Sequence, residues 1–400
     1  MSNPIFRAVL SNPNHPEYGA VTIPFPAPKG EYDATMEMLD CMGIGSAVLR
    51  DCKVEEVTGS YPVLRRLEGT QVNADELDYL AKRLDSFDVV EAAQFQAMAE
   101  KLDLHDIADF INLTFCCQQV TVITDFSNLD AVGRSHYMNL HGGVGNVEEM
   151  KALDGRETAL LLIGGGGGTI TPYGVVYDNG MKLEMLYQEG QSFPPYEYEQ
   201  YPLTLIVSPK GETVQRKQPI WIPLPSTDMQ IDRALQRGGI SAISDIVFEM
   251  DTACMPDGIA ERLDFDNEPI IDLNAMCAVI APLSQEDYRK LGAVVAMTKP
   301  EHASQVRRLV ENLELFDFAP GAHTPAELGT YMIKESGHFE FDPNLEAFYD
   351  YEKYGRQWMD EKGGTFTEDG YISYGGAVPL EQLMAGSDIE RNMTMGEMNI

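Results

Sequence analysis

Five short patterns recur, in the same order, in the two halves of this 400-residue chain. Ile-Pro-Phe-Pro at Ile23 to Pro26 returns 199 positions on as Ile-Pro-Leu-Pro at Ile222 to Pro225. An apolar row of Leu77, Leu80 and Leu84 returns as Leu273, Met276 and Ile280, a shift of 196. Asn112-Leu113 recurs as Asn312-Leu313, 200 on, and Leu183-Glu184 as Leu380-Glu381, 197 on. Gly167 to Thr171, trailed by Gly174, matches Gly363 to Thr367, trailed by Gly370, at a shift of 196. One such pair is chance, but five in register describe a duplication, and a duplication decides architecture before any motif does.

The expected organisation is therefore two tandem modules, a divergent first copy over residues 1–197 and a second over 198–400. Length agrees, because a single core stops growing near roughly 250–300 residues. Each module opens with a strand, Phe6 to Leu10 or Leu203 to Val207, followed by a Pro-rich turn. A mainly helical middle follows. In the first copy, apolar positions 77, 80, 84 and 87 keep the helical period, with Asp75, Glu76, Asp78, Asp85 and Asp88 mostly off that stripe. Asp103 is a candidate cap for a short helix that buries Leu104, Ile107 and Ile111, leaving Asp103, Asp106 and Asp109 on its wet side. Thr169 to Leu186 reads as two strands, so each module closes on a hairpin. The predicted class is α+β, with short antiparallel sheets and packed helices, and Gln188 to Gln200 serves as connector.

Charge is the second constraint. Sixty-three acidic against 29 basic side chains leave −34, split almost evenly: 13 − 29 = −16 through Glu197 and 16 − 34 = −18 after it. Solubility needs a magnitude of only about 2–8 in a small domain, and more costs stability by self-repulsion. With 44% hydrophobic residues the acid belongs to folded surface rather than to a disordered tail. Duplex DNA carries one charge per roughly 1.7 Å, so this charge matches about 17 base pairs, on the order of 58 Å.

Catalytic signatures are missing. Gly164 to Gly168 follows the apolar run Leu160 to Ile163, but TITPYGVVY comes next where a dinucleotide fold needs a helix, and no Gly-Lys-Ser/Thr follows. The run reads as a structural turn. The sequence has no H-E-x-x-H, G-x-S-x-G or C-x-x-C, and its histidines are scattered. Six cysteines without metal or disulfide spacing read as reduced packing residues. No apolar run approaches the length of a membrane span, and MSNPIFRAVL has no signal-peptide pattern. The expectation is a cytoplasmic protein that is not an enzyme and has no cofactor, metal site or membrane partner.

The stretch Asn312 to Trp358 is more specific. It holds a helix beginning near Thr324 and a second that Asp342 can cap, with Leu345, Phe348 and Tyr349 able to pack on one side and Glu346, Asp350, Glu352 and Asp360 free to face water. ELGTYMIKESG, then LEAFYDYEKYGR and the GGTFT strand, resemble the C-terminal part of the ArdA antirestriction proteins. The likeness is strong over Asn312 to Tyr371; over Asp103 to Leu140 the chain is similar to a divergent copy of the same family's asparagine–leucine segment.

The resemblance implies an elongated acidic protein that mimics bent duplex DNA. It would fill the DNA groove of type I restriction–modification enzymes in a bacterial host and protect incoming mobile DNA. The expected partner is thus a DNA-binding protein complex and not nucleic acid itself. Family members are commonly single modules that dimerise, so two modules imply a homodimer or a covalent pseudo-dimer. The candidate mimic carboxylates are Asp75, Glu76, Asp78, Asp85, Asp88, Asp103, Asp106, Asp109, Glu346, Asp350, Glu352 and Asp360. Phe348, Tyr349, Tyr351 and Tyr354 form the candidate packing or dimer segment, since the first module has only VEEMKALDGRETA at that spacing. The alternatives are mimicry aimed at another defence or DNA-binding protein, and an acidic adaptor working through residues 348–354.

Overall fold

The computed structural model describes residues 4–28, 30–196, 199–211, 219–338 and 340–386. Two compact units result, one of residues 1–198 with 227–245 and the other of 199–226 with 246–400. The expected boundary at Glu197 and Tyr198 lies outside the described residues.

In the first unit, β1 (Phe6–Ser11) is central to a four-stranded sheet with β2 (Ala20–Phe25), β3 (Cys52–Gly59) and β4 (Gln71–Val72), in the order β2-β1-β3-β4. Alternation is visible along β1, where Phe6, Ala8 and Leu10 are buried. Helix α1 (Tyr32–Cys41) intervenes between β2 and β3, and α2 (Ala74–Asp85) follows β4. The expected stripe holds: Leu77, Leu80 and Leu84 are at most 1% exposed. Next come α3 (Val89–Lys101) and α4 (Ile107–Leu113), whose Ile107 and Ile111 join Phe95 and Phe110 in the core. Strand β5 (Thr121–Ile123), helices α5 (Leu129–Leu140), α6 (Val147–Ala152) and α7 (Gly155–Gly164), and the hairpin β6 (Thr169–Thr171) and β7 (Gly174–Tyr177) complete the run. These strands form a second sheet, β5-β7-β6.

The run Gly164 to Gly168 begins on the last residue of α7, and Gly166 and Gly167 take φ of 73° and 84° in the turn into β6. The connector expected at Gln188 to Gln200 is partly docked: Phe193 stacks on Tyr79 at 4.6 Å, and the Tyr196 hydroxyl donates to the Lys82 carbonyl at 2.7 Å, just after the fully buried Tyr187. Helix α8 (Asp228–Arg237) also belongs to this unit, although it comes after residue 198 in the chain.

The second unit holds β8 (Leu203–Pro209), β9 (Ile220–Leu224) and β10 (Ile246–Ala253) in the order β10-β8-β9. Helices α9 (Asp257–Ala260), α10 (Ile270–Ile280), α11 (Gln285–Thr298) and α12 (Ala303–Glu311) follow, with Leu273, Met276 and Ile280 buried as the recurring pattern predicts. Strand β11 (Phe316–Pro320), helices α13 (Pro325–Lys334) and α14 (Tyr351–Lys362), and the hairpin β12 (Thr365–Phe366) and β13 (Gly370–Tyr374) form the sheet β11-β13-β12; α15 (Leu380–Ala385) comes last. The class is α+β with small antiparallel sheets, as the sequence implied.

Both units contain a close helix pair that crosses at glycine. A β-carbon on Gly133 of α5 would overlap the Gly155 carbonyl of α7, and one on Gly329 of α13 would overlap the Tyr351 carbonyl of α14. Gly355 faces back in the same way toward the Pro325 carbonyl. Only hydrogen at these positions lets the two backbones approach so closely.

Candidate protein-interaction surface

The start of α2 corrects one expectation. Asp75, Glu76 and Asp78 are 6%, 0% and 5% exposed, so they do not face water. This helix is covered on nearly every side, and a carboxylate can be buried only where partners replace its hydration. Asn73 and Glu76 close a capping box on the first turn. The Arg50 guanidinium meets Glu76 through Nε at 3.0 Å and Nη2 at 2.9 Å, and the Tyr187 hydroxyl donates to Glu76 at 3.0 Å. Asp75 takes Arg233 at 2.8 Å and Arg237 at 3.2 Å, with the Tyr32 hydroxyl as third donor. Burial alone would raise its pKa; the Arg237 and Arg233 charges overcome that and hold it below the usual aspartate range. Asp78 goes the other way, because burial raises it more than Lys82 at 3.3 Å and the Ala27 N–H at 2.7 Å lower it. All three are engaged by groups inside the unit and are not offered to a partner.

The other nine candidates are outside or at the surface. Asp85 and Asp88 are exposed, and Asp88 caps α3 by accepting from the Val90 and Glu91 N–H groups. Asp106, not Asp103, caps α4, accepting from Ala108 N at 2.8 Å. Asp103 has a left-handed backbone, φ 55°, which excludes it from the cap; its carboxylate binds Arg66, and that hydrogen bond lowers its pKa. Asp109 is half-buried, and burial followed by the Asp106 charge raises its pKa. In the second unit Glu346 meets Lys334, Asp350 caps α14 through Lys353 N at 3.0 Å, Glu352 pairs with Arg356 at 2.7 Å, and Asp360 is exposed on the last turn. Asp85, Asp109 and Asp360 make no ion pair among the described residues. Nearby exposed carboxylates at Glu327, Glu335 and Glu361 were not singled out in the sequence, where density of acid was their only signal.

The aromatic segment also departs from expectation. Asp342 does cap a helical turn, accepting from Asn344 N at 2.9 Å, but Pro343–Phe348 is 3-10 and not α-helical. Three residues per turn place Leu345 and Phe348 on one outward row. They are 48% and 83% exposed and do not pack. Tyr349 and Tyr351 are half-buried with ring centres 6.0 Å apart, Tyr354 lies 6.4 Å from Trp358, and Lys334 sits 5.3 Å from the Tyr351 ring. Helix α13 begins near Thr324 as predicted, and Thr324 caps it by accepting from Glu327 N at 3.3 Å.

Chemistry beyond charge and packing is sparse. Among the described residues no group of three or more His, Cys, Asp or Glu is placed to hold a metal, and no helix is long and apolar enough to cross a membrane. All six cysteines are free; Cys52, Cys116, Cys117 and Cys277 pack in the interior, whereas Cys41 and Cys254 are exposed, contrary to a packing role for all.

The fold is thus an acidic α+β architecture with exposed carboxylates on helix caps and helix faces. Residues 218–373 match the family model described as antirestriction protein (ArdA), so this segment is similar to that family. The match reaches well upstream of the Asn312 to Tyr371 stretch that carried the resemblance, and it supports an antirestriction protein. No curated protein matches the chain.

Proposed function

We propose that the protein is a DNA mimic that occupies the DNA-binding groove of a type I restriction–modification enzyme and so protects incoming mobile DNA. One observation carries this reading: a net charge of −34 on a chain whose segment 218–373 is ArdA-like. Lys and Arg placed for phosphates meet carboxylates already fixed by caps and helices, which spares the entropy of ordering a flexible polyanion. The two tandem modules act as a covalent pseudo-dimer. The working carboxylates are the solvent-facing ones, Asp85, Asp88, Asp103, Asp106, Glu346, Asp350, Glu352 and Asp360.

The test is inhibition of purified type I enzyme, with cutting and methylation assayed separately, by the parent chain and by a variant with all eight of these residues changed to Asn or Gln. Inhibition that survives the eight changes in a folded variant would refute mimicry. A second reading is favoured by the 83% exposure of Phe348: an adaptor that binds through residues 348–354. It predicts the reverse pattern, loss with Phe348→Ala and tolerance of neutralisation.

A further inference from the structure

Beneath α13 and α14 the second unit holds a cavity of about 100 Å³, room for about three water-sized groups. Its floor includes the fully buried Tyr371 and Leu328. Half-buried Tyr331 and Trp358 form its walls, and exposed Asp317 and His338 reach its rim. Among the described residues no Lys or Arg lines it. Asp317 makes no ion pair among the described residues. Burial and then the charges of Glu286 and Glu335 raise the pKa of the Tyr331 hydroxyl, so the field at this wall is negative. The chain's own Lys362 lies 5.6 Å from the Trp358 ring centre, so this indole already attracts one cation.

We propose that this cavity receives an arginine side chain of the protein partner, stacked among Tyr331 and Trp358 and paired with Asp317. The lining selects for it. Aromatic rings attract a cation, a carboxylate at the rim fixes its donors, and a planar guanidinium satisfies both more fully than the compact, strongly hydrated ammonium of lysine. The first unit lacks the set: through the shared sheet order and the glycine crossings, Thr121 stands for Asp317, Ser135 for Tyr331 and Val175 for Tyr371. Double-stranded DNA presents phosphates but no such pocket, so the site adds a contact that charge mimicry alone does not supply. The partner's identity rests on the function proposed above, whereas the cavity's preference for guanidinium does not.

The full-length Trp221→Phe protein keeps Trp358 as sole tryptophan and serves as reporter. Its emission should change saturably with end-blocked Gly-Arg-Gly at millimolar concentration, several-fold more weakly with the Lys peptide, and not with the Gln peptide. Asp317→Asn, at an exposed position, and Tyr331→Leu should each weaken the Arg response at least five-fold with the circular dichroism unchanged. A non-saturating response, or equal binding by Asp317→Asn, overturns the proposal. Methylguanidinium binding as tightly as the peptide overturns the side-chain assignment in favour of a small-cation site. Peptide binding by a chain that fails to inhibit restriction sinks the mimic reading alone, and inhibition without peptide binding sinks only the pocket.

Discussion

Arg233 Nη2 lies 2.8 Å from Asp75 Oδ2, joining residues 158 positions apart in one buried network. The same Asp75 oxygen accepts Arg237, whose guanidinium also covers the Phe193 ring at 4.3 Å. Arg233 continues to the Gly45 carbonyl at 2.8 Å. Asp75 is thus the ion that lets helix 228–237 dock in the first unit. Asp75→Ala should cost about 3–5 kcal/mol, the usual effect of stranding buried charges. Hydrogen exchange in α2 reads it. Because the folded pKa is depressed, this stability is complete above the unfolded value near about 3.9 and is lost as pH falls through the lower folded value. Unchanged α2 protection in Asp75→Ala would show that the network is dispensable.

Asp78 should behave oppositely. Its raised pKa means the fold prefers the protonated form, so its contribution is fullest below about 3.9 and is lost as pH rises through the raised folded value. In the second unit Asn274 occupies the corresponding place and accepts from Ser226 N at 2.9 Å, as Asp78 accepts from Ala27 N. Asp78→Asn keeps that acceptor without the buried charge. Thermal unfolding at pH 7 should find the variant at least as stable as the parent, with the gain vanishing toward pH 4. A clear loss at pH 7 would mean that the Lys82 pairing outweighs burial.

These two residues show what could be read in the sequence. The row Leu77, Leu80 and Leu84 is local, and its period alone identified the buried face. The fate of Asp75 depended on Arg233 and Arg237, which no window around α2 contains, so an acidic face that looked wet is sealed. Asp103 and Asp106 are both competent caps by residue type, and the choice was made by the left-handed turn at Asp103. Leu345 and Phe348 have helical spacing, but the 3-10 twist turned them outward. The glycine crossings left a readable trace, glycines inside helical stretches, at Gly133 and Gly329.

Gly329→Ala tests the crossing. Alanine improves helix propensity by about 1 kcal/mol at a free site. Here its methyl meets the Tyr351 carbonyl, a backbone atom that no rotamer change can remove. Overpacking costs typically about 1–3 kcal/mol, so the net change should be destabilising, and Gly355→Ala should match it. Urea unfolding followed by Trp358 fluorescence measures both. Stability equal to the parent would contradict the close approach.

Phe348→Ala should leave unfolding within about 0.5 kcal/mol, since a side chain 83% exposed contributes little to its own unit. Its effect belongs to sedimentation: the parent should form an oligomer that Phe348→Ala does not. Identical sedimentation of the two proteins would remove self-association from the list of roles for this row.

The acidic residues should divide by burial rather than by position in the sequence. Exposed pairs are worth about 0–1 kcal/mol each, so no single change among Asp85, Asp88, Glu346 or Asp360 to the amide should weaken inhibition more than a few-fold. Glu76→Gln, in contrast, removes the charge paired with Arg50 and one acceptor oxygen behind a surface only 1% exposed, and its damage should appear as lost stability of the first unit. Asp88→Asn tests the division from within, because asparagine caps α3 nearly as well as aspartate and so separates charge from helix initiation. Added salt sharpens the contrast: with the Debye length at about 8 Å under physiological ionic strength and shorter above it, inhibition by the parent should fall as salt rises, while the loss in Glu76→Gln stays nearly constant. A salt-independent inhibition constant would place the binding energy in contacts other than these carboxylates.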